Sequence, residues 1–149
     1  MFTYVVVTRT IYFGNVDVNK AFKEDLEVDH VAMGTILELA KPLQPKVENL
    51  SAIQVVWNRF YINPKTLNFV KNLKAVGKDV EICTKEIPLN FCLIAEGLVN
   101  VYQRFSPTME LDTAAGYAVC NALGISIETI KVLVYDKGSL LNRYFLIGK

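Results

Sequence analysis

The chain has 149 residues, enough for one hydrophobic core of ordinary size. Its 16 basic and 15 acidic residues leave a net charge of +1, so the summed field favours neither nucleic acid nor an anionic membrane surface. Hydrophobic residues make up 52%, yet no apolar run reaches the length of a bilayer span, and Met1-Phe2-Thr3-Tyr4 lacks the basic region of an export signal. These properties predict a cytoplasmic protein, and so apolar and nearly neutral a chain predicts a surface that expects a partner, a homodimer mate among them.

In chain order, Phe2 to Phe13 is rich in Val, Tyr, Thr and Ile and is followed by Gly14-Asn15, which predicts one strand ending in a turn, with Ala21-Phe22-Lys23 as the returning strand. The acidic run Glu24 to Asp29 reads as a solvated linker or a first helical turn rather than a cation site. Val31 to Leu39 is a short helix ended by Pro42 and Pro45. Ala52 to Trp57 is a buried strand. Asn63-Pro64 then opens a helix, with Asn as cap and Pro at the first position. Phe69, Val70, Leu73 and Val76 form its apolar face, and Gly77 stops it. Asp79 to Cys83 is a strand, Pro88 opens a helix, Leu98 to Tyr102 is a third strand, and Ile130 to Tyr135 and Tyr144 to Ile147 supply two more. Strands alternating with helices predict an α/β fold: a mixed, largely parallel sheet flanked by helices. Cys83, Cys92 and Cys120 are odd in number and sit among apolar residues, as reduced thiols do. His30 is the one histidine and has no zinc or triad motif around it.

The stretch from Pro88 to Gly124 carries the chemistry. Leu111-Asp112-Thr113-Ala114-Ala115-Gly116 reads as the start of a short helix, with Asp112 as N-cap and Gly124 as the stop. A carboxylate there can cap the helix, or it can ligate Mg²⁺ while free N–H groups of the first turn face a phosphate oxygen; the two roles are compatible. Before it come Phe91-Cys92-Leu93-Ile94-Ala95-Glu96-Gly97 and Val101-Tyr102-Gln103-Arg104-Phe105-Ser106-Pro107-Thr108. This succession resembles the C-terminal half of the inositol monophosphatase-like metal phosphatases, nearest the bacterial 3'(2'),5'-bisphosphate nucleotidases, whose pattern is F-C-L-x-A-E-G, Y-x-R-F-x-P-T, then W-D-T-A-A-G.

The resemblance implies a Mg²⁺-dependent hydrolase acting on a nucleotide or sugar phosphate, with Asp112 as a metal ligand and Arg104 reaching the substrate. It also divides the chain into a hairpin and linker over residues 1–45, left over from an N-terminal antiparallel sheet, and a C-terminal α/β domain over 46–149. The family's acidic E-E pair and D-P-x-D-G-T loop are found nowhere in the 149 residues. One aspartate does not build a paired-ion centre, so activity is expected only with a complementing N-terminal half, and the alternative is a non-catalytic binding or oligomerisation module. Where the family has S-R-S-H the chain has Asn58-Arg59-Phe60-Tyr61, keeping Arg59 as a substrate contact. Where the family has G-S-S-L-K-F it has Glu86-Ile87-Pro88-Leu89-Asn90-Phe91, without the serines and the lysine. The motif K-E-S-x-L-N-P becomes Lys137-Gly138-Ser139-Leu140-Leu141-Asn142-Arg143.

Overall fold

The computed structural model describes residues 2–5, 8–15, 17–27, 30–46, 51–57, 63–84, 87–129, 138–142 and 144–148. In chain order the elements are β1 (Phe2–Val5), β2 (Thr10–Asn15), β3 (Lys20–Asp25), α1 (Met33–Leu39), β4 (Lys41–Pro42), β5 (Ile53–Trp57), α2 (Pro64–Ala75), β6 (Val80–Thr84), α3 (Ile87–Glu96), β7 (Val101–Arg104), β8 (Thr108–Met109), α4 (Glu110–Ala122), β9 (Ile127–Thr129), β10 (Leu141–Asn142) and β11 (Phe145–Gly148). Strands β1 to β4 form an antiparallel meander. A second sheet has the order β6-β5-β7-β11-β9, and β8 pairs with β10. In the second sheet β5 runs parallel to β6 and β7, while β11 lies antiparallel to β7 and β9, so the sheet is mixed.

Side-chain alternation stacks these elements into layers. On β2, Ile11 and Phe13 face α1 and pack with Ile36, while Tyr12 between them faces the opposite way, into the main core with α3 and α4. On β5, Val55 and Trp57 face α2 and Val70, whereas Val56 joins Tyr102, Phe145 and Ile147 against α3 and α4. The order is therefore α1, meander, the α3–α4 pair, mixed sheet, α2. Both faces of β5 are covered, which is why its sequence is an almost unbroken apolar run.

Several expectations are corrected. The apolar stretch from Phe2 to Phe13 is two strands, because the chain folds back at Arg9, whose φ is 50°, and its halves pair with each other. Gly14 lies inside β2 and makes no turn: a Cβ there would stand 2.6 Å from the Ala118 carbonyl oxygen, so the missing side chain lets β2 sit against α4. The turn falls at 17–19, with Asn19 at φ 50°. Glu24 and Asp25 end β3 instead of forming a linker, and Asp25 accepts a 2.7 Å hydrogen bond from the Thr10 hydroxyl. Val76 is 71% exposed and caps α2 from outside its apolar face, one turn too far along to reach the sheet. Arg59, Asp29 and the strand expected over 130–135 lie outside the described residues. The remaining elements fall close to their predicted places. Asn63 caps α2 by accepting from the Thr66 N–H at 3.0 Å, the three cysteines are reduced thiols, and His30 is exposed.

The two central helices are held close by Gly116, where a Cβ would meet the Phe91 side chain at 2.5 Å. Gly116→Val therefore forces α3 and α4 apart. A loss of roughly 1–3 kcal/mol or more is expected, read as a lowered urea midpoint at unchanged slope.

Candidate functional site

Strand β5 leads through α2 to β6 on one side of it, and β6 leads through α3 to β7 on the other. The chain thus reverses its winding between β5 and β7, and the crevice beyond the carboxyl ends of such a strand pair is where open α/β sheets bind ligands. At that edge β7 ends in Arg104. Alternation places Arg104 on the same face as Tyr102, toward α4. The residue is 4% exposed: Nε donates to Thr108 Oγ1 at 2.7 Å and Nη2 reaches the Pro107 carbonyl at 3.5 Å. Thr108 Oγ1 in turn donates to the Ser106 carbonyl at 3.3 Å. Arg104 therefore organises the loop that joins β7 to α4.

The loop delivers Asp112 to the first turn of α4, although not as its cap. The N-cap is Met109, with no side-chain capping bond, and Asp112 is the third residue of the helix. The helix starts early because Thr108 and Met109 are held as a strand against Asn142 and Leu141, and the Glu110 N–H is taken by the Leu140 carbonyl at 2.8 Å. Asp112 is half-buried, and in the first turn its charge is favoured by the helix dipole.

The buried Tyr102 hydroxyl senses both charges. Burial pushes it up to about 12, the Arg104 charge and the Asn90 amide oppose the rise, and the Asp112 carboxylate adds to it. The charges of Arg104, at the end of β7, and Asp112, in the first turn of α4, both reach this one hydroxyl. The Asn90 amide acts on this hydroxyl without closing a hydrogen bond of ordinary geometry: both its polar atoms, the Tyr102 hydroxyl and Ser106 Oγ are buried and unpartnered. Asn90 stands where the sequence comparison above places a lysine, so the position keeps a polar group but not the charge.

As a metal site the described residues are incomplete. Among them no group of three or more His, Cys, Asp or Glu comes together. Mg²⁺ is commonly held by one or two carboxylates with phosphate and water, so Asp112 fits as one ligand of a shared site and not as a centre on its own. A groove of about 630 Å³ lined by Lys65, Phe69, Phe105 and Tyr144 lies on the α2 side and includes neither Asp112 nor Arg104. Among the described residues no helix is long and apolar enough to cross a membrane.

No protein-family model matches the chain. It is 35% identical over 83 residues to the 3'(2'),5'-bisphosphate nucleotidase CysQ of Buchnera aphidicola, a match covering 56% of this chain and 30% of that protein. With CysQ of Salmonella typhimurium the identity is 51% over 62 residues, 40% of this chain and 25% of the relative. The crystal structure of CysQ from Bacteroides thetaiotaomicron, a bacterial member of the inositol monophosphatase family, matches 99% of this chain with a TM-score of 0.82 and 32% identity. The chain spans 56% of that protein, about half its length. Fold and retained motifs place the chain in the inositol monophosphatase-like metal phosphatase family. Within it, the chain corresponds to the C-terminal half of the 3'(2'),5'-bisphosphate nucleotidases.

Two contacts had no counterpart in the sequence reading. Glu96, from the F-C-L-x-A-E-G motif, accepts from the Tyr12 hydroxyl at 2.5 Å and from Lys23 at 3.1 Å, tying α3 to the meander. Asn142, from the altered C-terminal motif, reaches Thr113 on α4. The signal in both cases is a polar residue kept inside an apolar motif.

The Tyr102 hydroxyl yields a pH prediction. The folded chain holds this proton to about pH 12, whereas an unfolded tyrosine releases it near 10. The unfolded state therefore binds fewer protons in that window, and the stability is complete below pH 10 and declines toward 12. Tyr102→Phe removes an unpartnered hydroxyl. It is expected to leave the urea midpoint at pH 7 within about 1 kcal/mol of the parent, and to lessen the alkaline loss by up to roughly 2–3 kcal/mol at pH 12.

Proposed function

We propose that this chain is the C-terminal half of a Mg²⁺-dependent phosphatase that hydrolyses a phosphate monoester, with adenosine 3',5'-bisphosphate or a related sugar phosphate as substrate. The observation that carries this reading is Asp112 in the first turn of α4, at the end of the loop that Arg104 organises, in a chain 32% identical to a CysQ over 99% of its length. In this reading Asp112 contributes one carboxylate to the metal site. Arg104 shapes the substrate loop and carries a fixed positive charge at its edge. Arg59, the arginine kept from the family's S-R-S-H motif, contacts the phosphate ester. Bound Mg²⁺ supplies activation of water and neutralisation of the leaving oxygen. The other carboxylates come from outside these residues, so catalysis needs a complementing N-terminal half. The division into a meander unit over 1–45 and an α/β unit over 46–149 belongs to the same reading. The three reduced thiols support a reducing compartment, the cytoplasm.

A second reading has its own observation. Met33, Leu37 and Leu39 on α1, and Leu111, Leu140 and Leu141 beside the start of α4, are large and exposed. Such surface suits a homodimer or a docked partner, and the chain would then be a non-catalytic module.

Phosphate release from adenosine 3',5'-bisphosphate, measured with and without Mg²⁺ and with and without an N-terminal half from a full-length relative, separates the two. The phosphatase reading expects turnover only with both additions, and a loss of about 100-fold or more in Asp112→Asn. A purified chain that stays inactive with every addition and forms a stable dimer by light scattering supports the second reading.

A further inference from the structure

The α4 start lacks a side-chain cap, yet the residue proposed to hold a metal sits in its first turn. An uncapped N-terminus frays, and a fraying turn does not hold a carboxylate in one place. What stands in for the cap lies 29 residues further along the chain. Asn142 Nδ2 donates to Thr113 Oγ1 at 2.6 Å, with Asn142 3% and Thr113 0% exposed. The Thr113 hydroxyl donates to the Glu110 carbonyl at 3.2 Å while accepting from Asn142, so the two bonds run through one oxygen. Alongside, Leu140, the residue before β10, takes the Glu110 N–H on its carbonyl, and β10 pairs with β8 just ahead of the helix. Strand β10 thus grips both sides of the turn that carries Asp112.

We propose that Asn142 is a positioning residue: through Thr113 it fixes the first turn of α4, and so fixes where the Asp112 carboxylate points. The functional part of this inference rests on the reading of Asp112 as a metal ligand; the structural part does not. Asn142 touches neither metal nor substrate. It belongs with the outer groups that orient a ligand, whose removal typically lowers metal affinity ~10–100-fold.

The test uses the chain together with an N-terminal half from a full-length relative, with Mn²⁺ as the probe, in four forms: parent, Asn142→Ala, Thr113→Val and the double variant, with Asp112→Asn as control. Amide hydrogen exchange is followed together with Mn²⁺-induced broadening of the Asp112 to Gly116 amides. In Asn142→Ala, protection at Thr113 to Gly116 is expected to fall about tenfold or more while β5, β7 and α2 keep theirs, and Mn²⁺ affinity is expected to fall ~10-fold or more. The double variant is expected to be no worse than the worse single one, because both lose the same bond. Parental exchange and affinity in Asn142→Ala, or losses that add in the double variant, overturn the proposal. Should Asn142→Ala not fold, Thr113→Val, which is nearly isosteric, carries the same comparison from the other end of the bond. Failure of the metal reading looks different: broadening is absent in the parent or persists in Asp112→Asn, while the exchange pattern still follows Asn142. That outcome overturns the functional part.

Discussion

The α3–α4 contact is the constraint on which the rest depends. Gly116 carries no side chain where Phe91 lies, and a single methyl group there would overlap the ring. Because the helices touch, each sheet packs against both of them at once, and one continuous core runs from Tyr12 and Ala21 on the meander to Tyr102, Phe145 and Ile147 on the mixed sheet. Phe91 sits among Tyr102 and Phe145 with ring centroids 5.3 and 5.6 Å away, close enough for edge-on and tilted aromatic packing. The residue that sets the helix spacing is thus also the centre of the aromatic cluster beneath the candidate site.

The meander is locked to this pair by polar contact as well as by packing. Glu96, at the end of α3, accepts from Tyr12 and Lys23 on adjacent strands, and the Lys23 ammonium also lies 5.5 Å from the Tyr12 ring centre. A partly buried carboxylate that receives two donors is costly to orphan, so the lock fixes the register of the meander against α3. On the other side, Gly14 brings β2 against the α4 backbone. Two small residues and one carboxylate therefore position three layers.

Local signals in the sequence were sufficient wherever local chemistry decides the structure. Asn63-Pro64 announces α2 because the Asn cap and the proline act within one turn, and β5 announces itself because both its faces are buried. The signals mislead where a distant segment decides. Gly14 looks like a turn residue until α4 is seen across it, and Asp112 looks like a cap until β10 is seen holding Thr108 and Glu110. The break at Arg9 is hidden because both halves of the run are good strands, and only their pairing with each other reveals it. At the site, the types of Asp112 and Arg104 are legible in their motifs. Their surroundings are not: Arg104 spends two donors on its own loop, and the partners of Asn142 lie on an element 29 positions away.

This division has a consequence for a half-length chain. Every contact described that shapes the start of α4 is internal to these residues: Gly116 against Phe91, Asn142 on Thr113, Leu140 on Glu110 and Arg104 on the loop before it. The placing of Asp112 does not wait for further carboxylates to arrive, so on the proposed reading a complementing half would meet a preformed edge. Charge argues the same way. A lone aspartate that is half-buried in the first turn of a helix is favoured by the dipole, whereas several carboxylates gathered without their metal repel one another. On the proposed reading, a single ligand on this side of the junction lets this half fold without the ion, and its repulsion with the other carboxylates arises only when the ion is there to offset it.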